Sequence, residues 1–265
     1  MHPLTLDQIR HAAPSVFADQ PWQAMSEKYR FFPTSEIVVG LMANGFVPVR
    51  AQQSNSRIPG KQDYTRHMLR FRHASLTESA RDSEVPEIVL LNSHDGTAAY
   101  QIALGLYRVI CTNGLVVKSA GIAEVRVRHS GRANLIDEVI EGSYRVIEQA
   151  PKVLDQVTTW KHLQLSPPEQ EILAEAALAV RETALTVEPR ALLTARRWED
   201  GRADAARDLW RTMNVTQENL MRGGVRSRNE QGQRRRLRGV TSVDADTKLN
   251  RALWTLTERM AQLKG

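Results

Sequence analysis

Ile88-Val89-Leu90-Leu91, then Asn92-Ser93-His94-Asp95-Gly96-Thr97, then Tyr100, Ile102, Leu104 and Leu106 in alternation: this stretch decides the fold. The near-continuous apolar run from Pro86 to Leu91 predicts a strand buried on both faces. Asn, Asp and Gly each relax the backbone, so 92–97 is a turn. Residues 98–111 have the length of a helix, but the period-two alternation and the β-branched Val109-Ile110 predict a second strand.

Upstream, Tyr64 to His73 also alternates. Leu69 and Phe71 share one side with Thr65, His67 and His73, and the other side carries Tyr64, Arg66, Met68, Arg70 and Arg72. That predicts a strand with one buried face and one arginine-bearing face. Its other reading is an ordinary wet sheet face. Phe46 to Arg50 contains Pro48 and reads as an edge strand. Thr34 or Ser35 caps a short helix that Asn44-Gly45 closes. Residues 51–62 and 74–85 read as loops and 1–28 as a lead-in. Downstream, 115–117 and 125–128 read as short strands.

After Gly131 the texture is helical. Leu135, Ile136, Val139, Ile140, Tyr144, Val146 and Ile147 recur at helical spacing, and Val153, Leu154, Val157 and Trp160 extend it past a kink. Ser166-Pro167-Pro168-Glu169 is a capping box that starts a helix running to about Val187. Further helices are expected from Pro189 to before Gly201, from Ala203 to Met213, a short one capped by Thr216, and from Asp244 to Leu263. The fold class is therefore α+β: a mostly antiparallel N-terminal sheet packed by helices, then a helical C-terminal region. The expected division is a core at 29–165 and an extension at 166–265, together one domain, with an arginine-rich loop at 222–239.

The 265 residues hold 42% hydrophobic and 25% charged side chains, the balance of a globular protein rather than a disordered or fibrous one. No apolar run approaches the roughly 18–20 residues of a membrane span, and residues 1–10 show no secretory signal. One cysteine makes no internal disulfide. A cytoplasmic location follows as the expectation. Net charge is +6 with a pI of about 9.7. Arg222, Arg226, Arg228, Arg234, Arg235, Arg236 and Arg238 face one acid, Glu230, so this single stretch carries an excess equal to that of the whole chain. Clustered arginine is the electrostatic footprint of a polyanion partner; the alternative is a solvated basic loop. Apolar residues there are too few for a membrane-surface helix.

His94-Asp95, with His129 elsewhere, is the one cluster resembling metal ligands or an acid–base pair, and it falls short of the three or four ligands a metal needs. Turn stabilisation by Asp95 is the simpler reading. Cys111, in an apolar run, reads as a buried structural thiol. GxxxxGK[ST], GxGxxG and HExxH are absent. No cofactor or metal is expected.

The run Asn92-Ser93-His94-Asp95-Gly96, followed by Arg108-Val109-Ile110-Cys111-Thr112-Asn113-Gly114, resembles the phage/plasmid-like proteins catalogued as domain of unknown function 932. Their shared core is an N-S-x-D-G turn and an R-x-x-C-x-N segment with a histidine downstream, a place that His129 fills. Gln217-Glu218-Asn219, Arg222-Gly223-Gly224 and 249–254 are similar to the C-terminal part of the plasmid-borne branch. The resemblance spans about residues 29–260. It implies carriage on a mobile element and no assigned activity.

Three functions follow as expectations. The first is a non-enzymatic protein that binds single-stranded DNA to protect or anneal it, with Arg66, Arg70 and Arg72 on one basic surface and the seven arginines of 222–238 clamping phosphates. The order strand, strand, strand, long helix resembles the β-β-β-α unit of single-strand annealing proteins, which form rings or filaments, so a homo-oligomer is compatible with it. Aromatic residues are only 6%, which limits base stacking and favours tracking of the backbone. The second is a metal-dependent nuclease or hydrolase using His94, Asp95 and His129. The third is a protein-interaction, anti-defence factor.

Overall fold

The computed structural model describes residues 3–27, 29–75, 84–108, 113–117, 124–127, 134–181, 183–196 and 207–264. The chain divides into two compact units, 1–151 with 242–244, and 152–241 with 245–265.

In the first unit, strands β1 (Val47–Gln53), β2 (His67–Arg72), β3 (Glu84–Asn92), β4 (Tyr100–Arg108) and β5 (Asn113–Val116) lie side by side in chain order, all antiparallel. A sixth described strand, β6 (Val125–Val127), pairs with the first part of β4, where Ile102 faces Val125. Residues directly opposite one another share a sheet face. Leu69, Leu90 and Ile102 are in line, as are Phe71, Ile88 and Leu104. Helices α2 (Thr34–Ala43) and α3 (Leu135–Ile147) lie against each other, and α3 packs on β4 and β6. The opposite face holds Met68, Val89, Leu91, Ala103 and Val116, packed with Val243. Burial on both faces is why β3 and β4 read as continuous apolar runs. β1 is an edge strand, as Pro48 requires, with an irregular register between Pro48 and Arg50. It extends three residues into the expected loop.

The N-terminal stretch is not a loose lead-in. Thr5 and Gln8 form a reciprocal cap on α1 (Leu6–Ala12), and Ile9, Ala13 and Val16 are fully buried. A cap that satisfies two otherwise orphaned N–H groups lets so short a helix persist.

The second unit is helical: α4 (Ala150–His162), α5 (Pro167–Val180), α6 (Pro189–Leu192), α7 (Leu209–Arg222) and α8 (Val243–Lys264), the last starting in the first unit. Trp160 lies 4.7 Å from Trp254 and 6.1 Å from Trp210, ring centre to ring centre. That cluster draws α4 into this unit, so the division falls near 151 rather than 165. A second core joins Ala174, Ala177, Leu192, Leu220, Leu249 and Leu253. The Ser166 capping box forms as expected, but α5 stops at Val180. α7 is continuous: Asp208 caps it by accepting from the Arg211 N–H at 2.8 Å, and Thr216 is buried within the helix instead of starting a new one. The region also holds a β-hairpin, β7 (Arg226–Arg228) with β8 (Arg234–Arg236), in place of the expected arginine-rich loop.

Candidate functional site

The Asn92–Thr97 turn sends its two ionisable side chains in different directions. His94 points inward, and Thr34 Oγ1 stands 3.0 Å from both His94 Nε2 and His67 Nε2. Asn92 Nδ2 donates to the same hydroxyl at 3.0 Å, and the Tyr100 oxygen is 3.3 Å away. A hydroxyl has one hydrogen and two acceptor sites. Asn92 fills one site, and Tyr100 gives its own hydrogen to the Phe32 carbonyl at 2.8 Å. One hydrogen and one acceptor site remain for two imidazoles and a phenol oxygen, so both histidines cannot present Nε2–H to Thr34. Thr34, His67, Asn92, Ser93, His94 and Tyr100 are all fully buried. This is a hub that orders the turn and is closed to substrate.

Asp95 turns to Thr97 and Lys61, and its carboxylate is only 6% exposed. One carboxylate oxygen accepts from the Thr97 N–H at 3.1 Å and from the Thr97 hydroxyl at 2.5 Å. The other pairs with Lys61 Nζ at 3.1 Å. Burial pushes the carboxyl up, but hydrogen bonds from Thr97, Ser93 and Lys61 outweigh it and hold it below its usual range. Burial first, then the Asp95 charge, pushes the Tyr29 phenol up. The turn-stabilising reading of Asp95 thus matches its geometry, and the His94–Asp95 pair does not converge on one point. Among the described residues no group of three or more His, Cys, Asp or Glu is placed to hold a metal. Cys111 and His129 lie outside the described residues, and of Asn113 and Gly114 the strand alone is described.

The arginines along β2 do not form the expected open basic surface. Arg70 is 1% exposed, with Nη1 3.4 Å from Glu87 and 3.2 Å from the Leu115 carbonyl. Arg72 makes two 3.0 Å bonds to the other Glu87 oxygen and stacks on Tyr107. Arg66 pairs with Asp244, and Arg108 with Glu84 at 3.7 Å. Gly105 makes room for Arg70: a Cβ there would sit 3.0 Å from its Nη1. Glu87 is the cause, lying across the sheet on the arginine side and buried. A buried guanidinium needs such a partner.

The 222–238 arginines behave oppositely, and all seven are exposed. Arg226 faces Arg236 and Arg228 faces Arg234, so four arginines form a square on one face of the hairpin. Ser227, between them, is buried, and Arg235 opposite it is exposed. The reversal is made by Asn229, whose side chain accepts the Gln233 N–H at 2.9 Å, and by Gly232 at φ +73°. At the neck, Gly223 has φ +67°, and a Cβ there would lie 2.4 Å from the Gly239 nitrogen. Arg228 and Arg236 each donate one N–H to a hairpin carbonyl, at 3.0 Å. Arg222 pairs with Glu218 at 3.3 Å. Among the described residues none of Arg226, Arg228, Arg234, Arg235, Arg236 and Arg238 makes an ion pair. Thr186 and Glu188 complete a groove lined by Arg226, Arg228, Arg234, Arg235 and Arg236, of about 810 Å³. Neither residue stood out in the sequence, because only the tertiary bridge Thr186–Arg228 brings them there. The hairpin itself had a local signal, the alternation of Val225 and Ser227 with Arg226 and Arg228.

The chain belongs to the family described as Domain of unknown function (DUF932), which matches residues 21–254. It is 41% identical over 260 residues to UPF0380 protein YafZ of Escherichia coli (strain K12), covering 97% of this chain and 92% of that protein. It is 40% identical, with the same coverage, to UPF0380 protein YfjQ of the same organism. No solved structure matches significantly. No described helix is long and apolar enough to cross a membrane.

Proposed function

We propose that the protein binds single-stranded nucleic acid through the β7–β8 hairpin, as a component of a phage or plasmid acting in the cytoplasm, and that it protects or anneals the strand. One observation carries this reading. Four exposed arginines stand in two like-charged cross-strand pairs, an arrangement that is destabilising, with no ion pair to offset it among the described residues. A polyanion relieves that repulsion, and phosphates on the square release their condensed counterions. Successive same-face arginines stand about 6.8 Å apart along a strand, a spacing that suits neighbouring phosphates of an extended chain. The β2 arginines, engaged by acids, take no part in this surface.

The test is binding of labelled single- and double-stranded DNA across a salt series, with particle size recorded in parallel. Replacing Arg226, Arg228, Arg234 and Arg236 by Gln is expected to weaken binding at all sequences and to flatten the logarithmic salt slope by roughly 0.7 per lost contact. An unchanged slope removes the hairpin from the reading. Growth in particle size on DNA addition is expected if the strand is held by a ring or filament.

A further inference from the structure

Glu188 is an acid in a groove of arginines that neutralises none of them. Thr186 and Arg228 exchange backbone bonds, N–H to C=O at 2.8 and 2.9 Å, which places Thr186 beside β7. Glu188 has extended backbone, φ −68° and ψ 124°, and two residues along an extended chain return to the same face. The carboxylate thereby lines the groove with the arginine square. It is exposed, makes no ion pair among the described residues, and makes no capping bond to α6 although it occupies the capping position. Neither ordinary use of a glutamate at this place is realised.

Resting on the hairpin reading above, we infer that Glu188 reads the Watson–Crick edge of an unpaired guanine while the arginines hold the phosphates of the same strand. A carboxylate accepts only. Guanine alone among the bases offers two parallel donors on that edge, N1–H and the N2 amine, matching the two carboxylate oxygens. Adenine and cytosine offer one amine. Thymine offers one imide N–H between two carbonyls that repel the carboxylate. In a duplex this edge is occupied, so the same contact favours single strands. The cost is repulsion between Glu188 and every phosphate on the track, which a base without the paired donors does not repay.

The experiment compares binding of a fifteen-nucleotide all-dT strand with one of repeated dT-dT-dG, for the wild type and for Glu188→Gln. A bidentate base contact gives roughly tenfold discrimination. The wild type is expected to favour the dG-bearing strand by about that factor. Glu188→Gln is expected to bring the ratio near one while tightening all-dT binding, two effects of opposite direction from a single exposed substitution. Equal binding of both strands by the wild type, still dependent on the hairpin arginines, overturns this inference and leaves the hairpin reading standing. A preference that survives Glu188→Gln overturns it too. Loss of arginine dependence for both strands overturns both readings.

Discussion

Strand β2 and the β7–β8 hairpin look alike in sequence, each with arginines at alternate positions, yet one set is engaged by acids and the other is exposed. The difference lies across the sheet. β2 faces β3, which places Glu87 within reach of Arg70 and Arg72. Each hairpin strand faces the other, so arginine meets arginine. Charge along a strand therefore says little about binding until the register supplies, or withholds, the opposite charge. Lys61 and Asp95 are intermediate, with the lysine 20% and the carboxylate 6% exposed.

Three substitutions sharpen or break this comparison. Glu87→Ala has the largest expected effect: it strands Arg70 as an uncompensated buried charge, a loss of about 3–5 kcal/mol, read as a lower denaturant midpoint at unchanged m-value. A loss below about 1 kcal/mol would mean that water reaches Arg70 and that β2 is an open face after all. Gly223→Ala comes next. Its positive φ and the closeness of Gly239 predict about 1–3 kcal/mol of strain, expressed as a loosened hairpin that exchanges its amide hydrogens faster and binds DNA less tightly while the first unit is untouched. Native-state hydrogen exchange checks this, and unchanged protection of Gly224 and Leu237 would count against the tight neck.

The smallest effect is read through pH. The native pKa of Asp95 is lowered, so its contribution to stability is full above the unfolded value of about 3.9 and is lost as pH falls through the native value. Asp95→Asn is expected to destabilise near neutrality and to converge with the wild type in acid. A stability difference that stays constant to low pH would show that the side chain acts by shape alone.

Much of the fold was legible because its signals are local. Alternation and unbroken apolar runs marked β2, β3 and β4, and Ser166 with Glu169 marked the start of α5. The continuity of α7 was missed because Thr216 is a good cap residue by type, while Asp208 holds that role by position. The Asn92–Gly96 turn was visible as a turn. Its hub was not, since Thr34 and His67 reach it from 60 and 27 residues away along the chain.

The sequence by itself determined strands β2, β3 and β4 and the start of α5, that positive charge concentrates at 222–238, and which family the chain resembles, because backbone preference, side-chain periodicity and composition are properties of neighbours along the chain. Only the tertiary structure decided that Arg66, Arg70, Arg72 and Arg108 are engaged by acids, that His94 joins Thr34 and His67 while Asp95 bonds Thr97 and Lys61, and that Glu188 shares a groove with five arginines. Those outcomes rest on strand register and on a bridge between residues 42 apart, Thr186 and Arg228. The strength of a charge pair depends on distance and burial in space, which sequence separation does not encode.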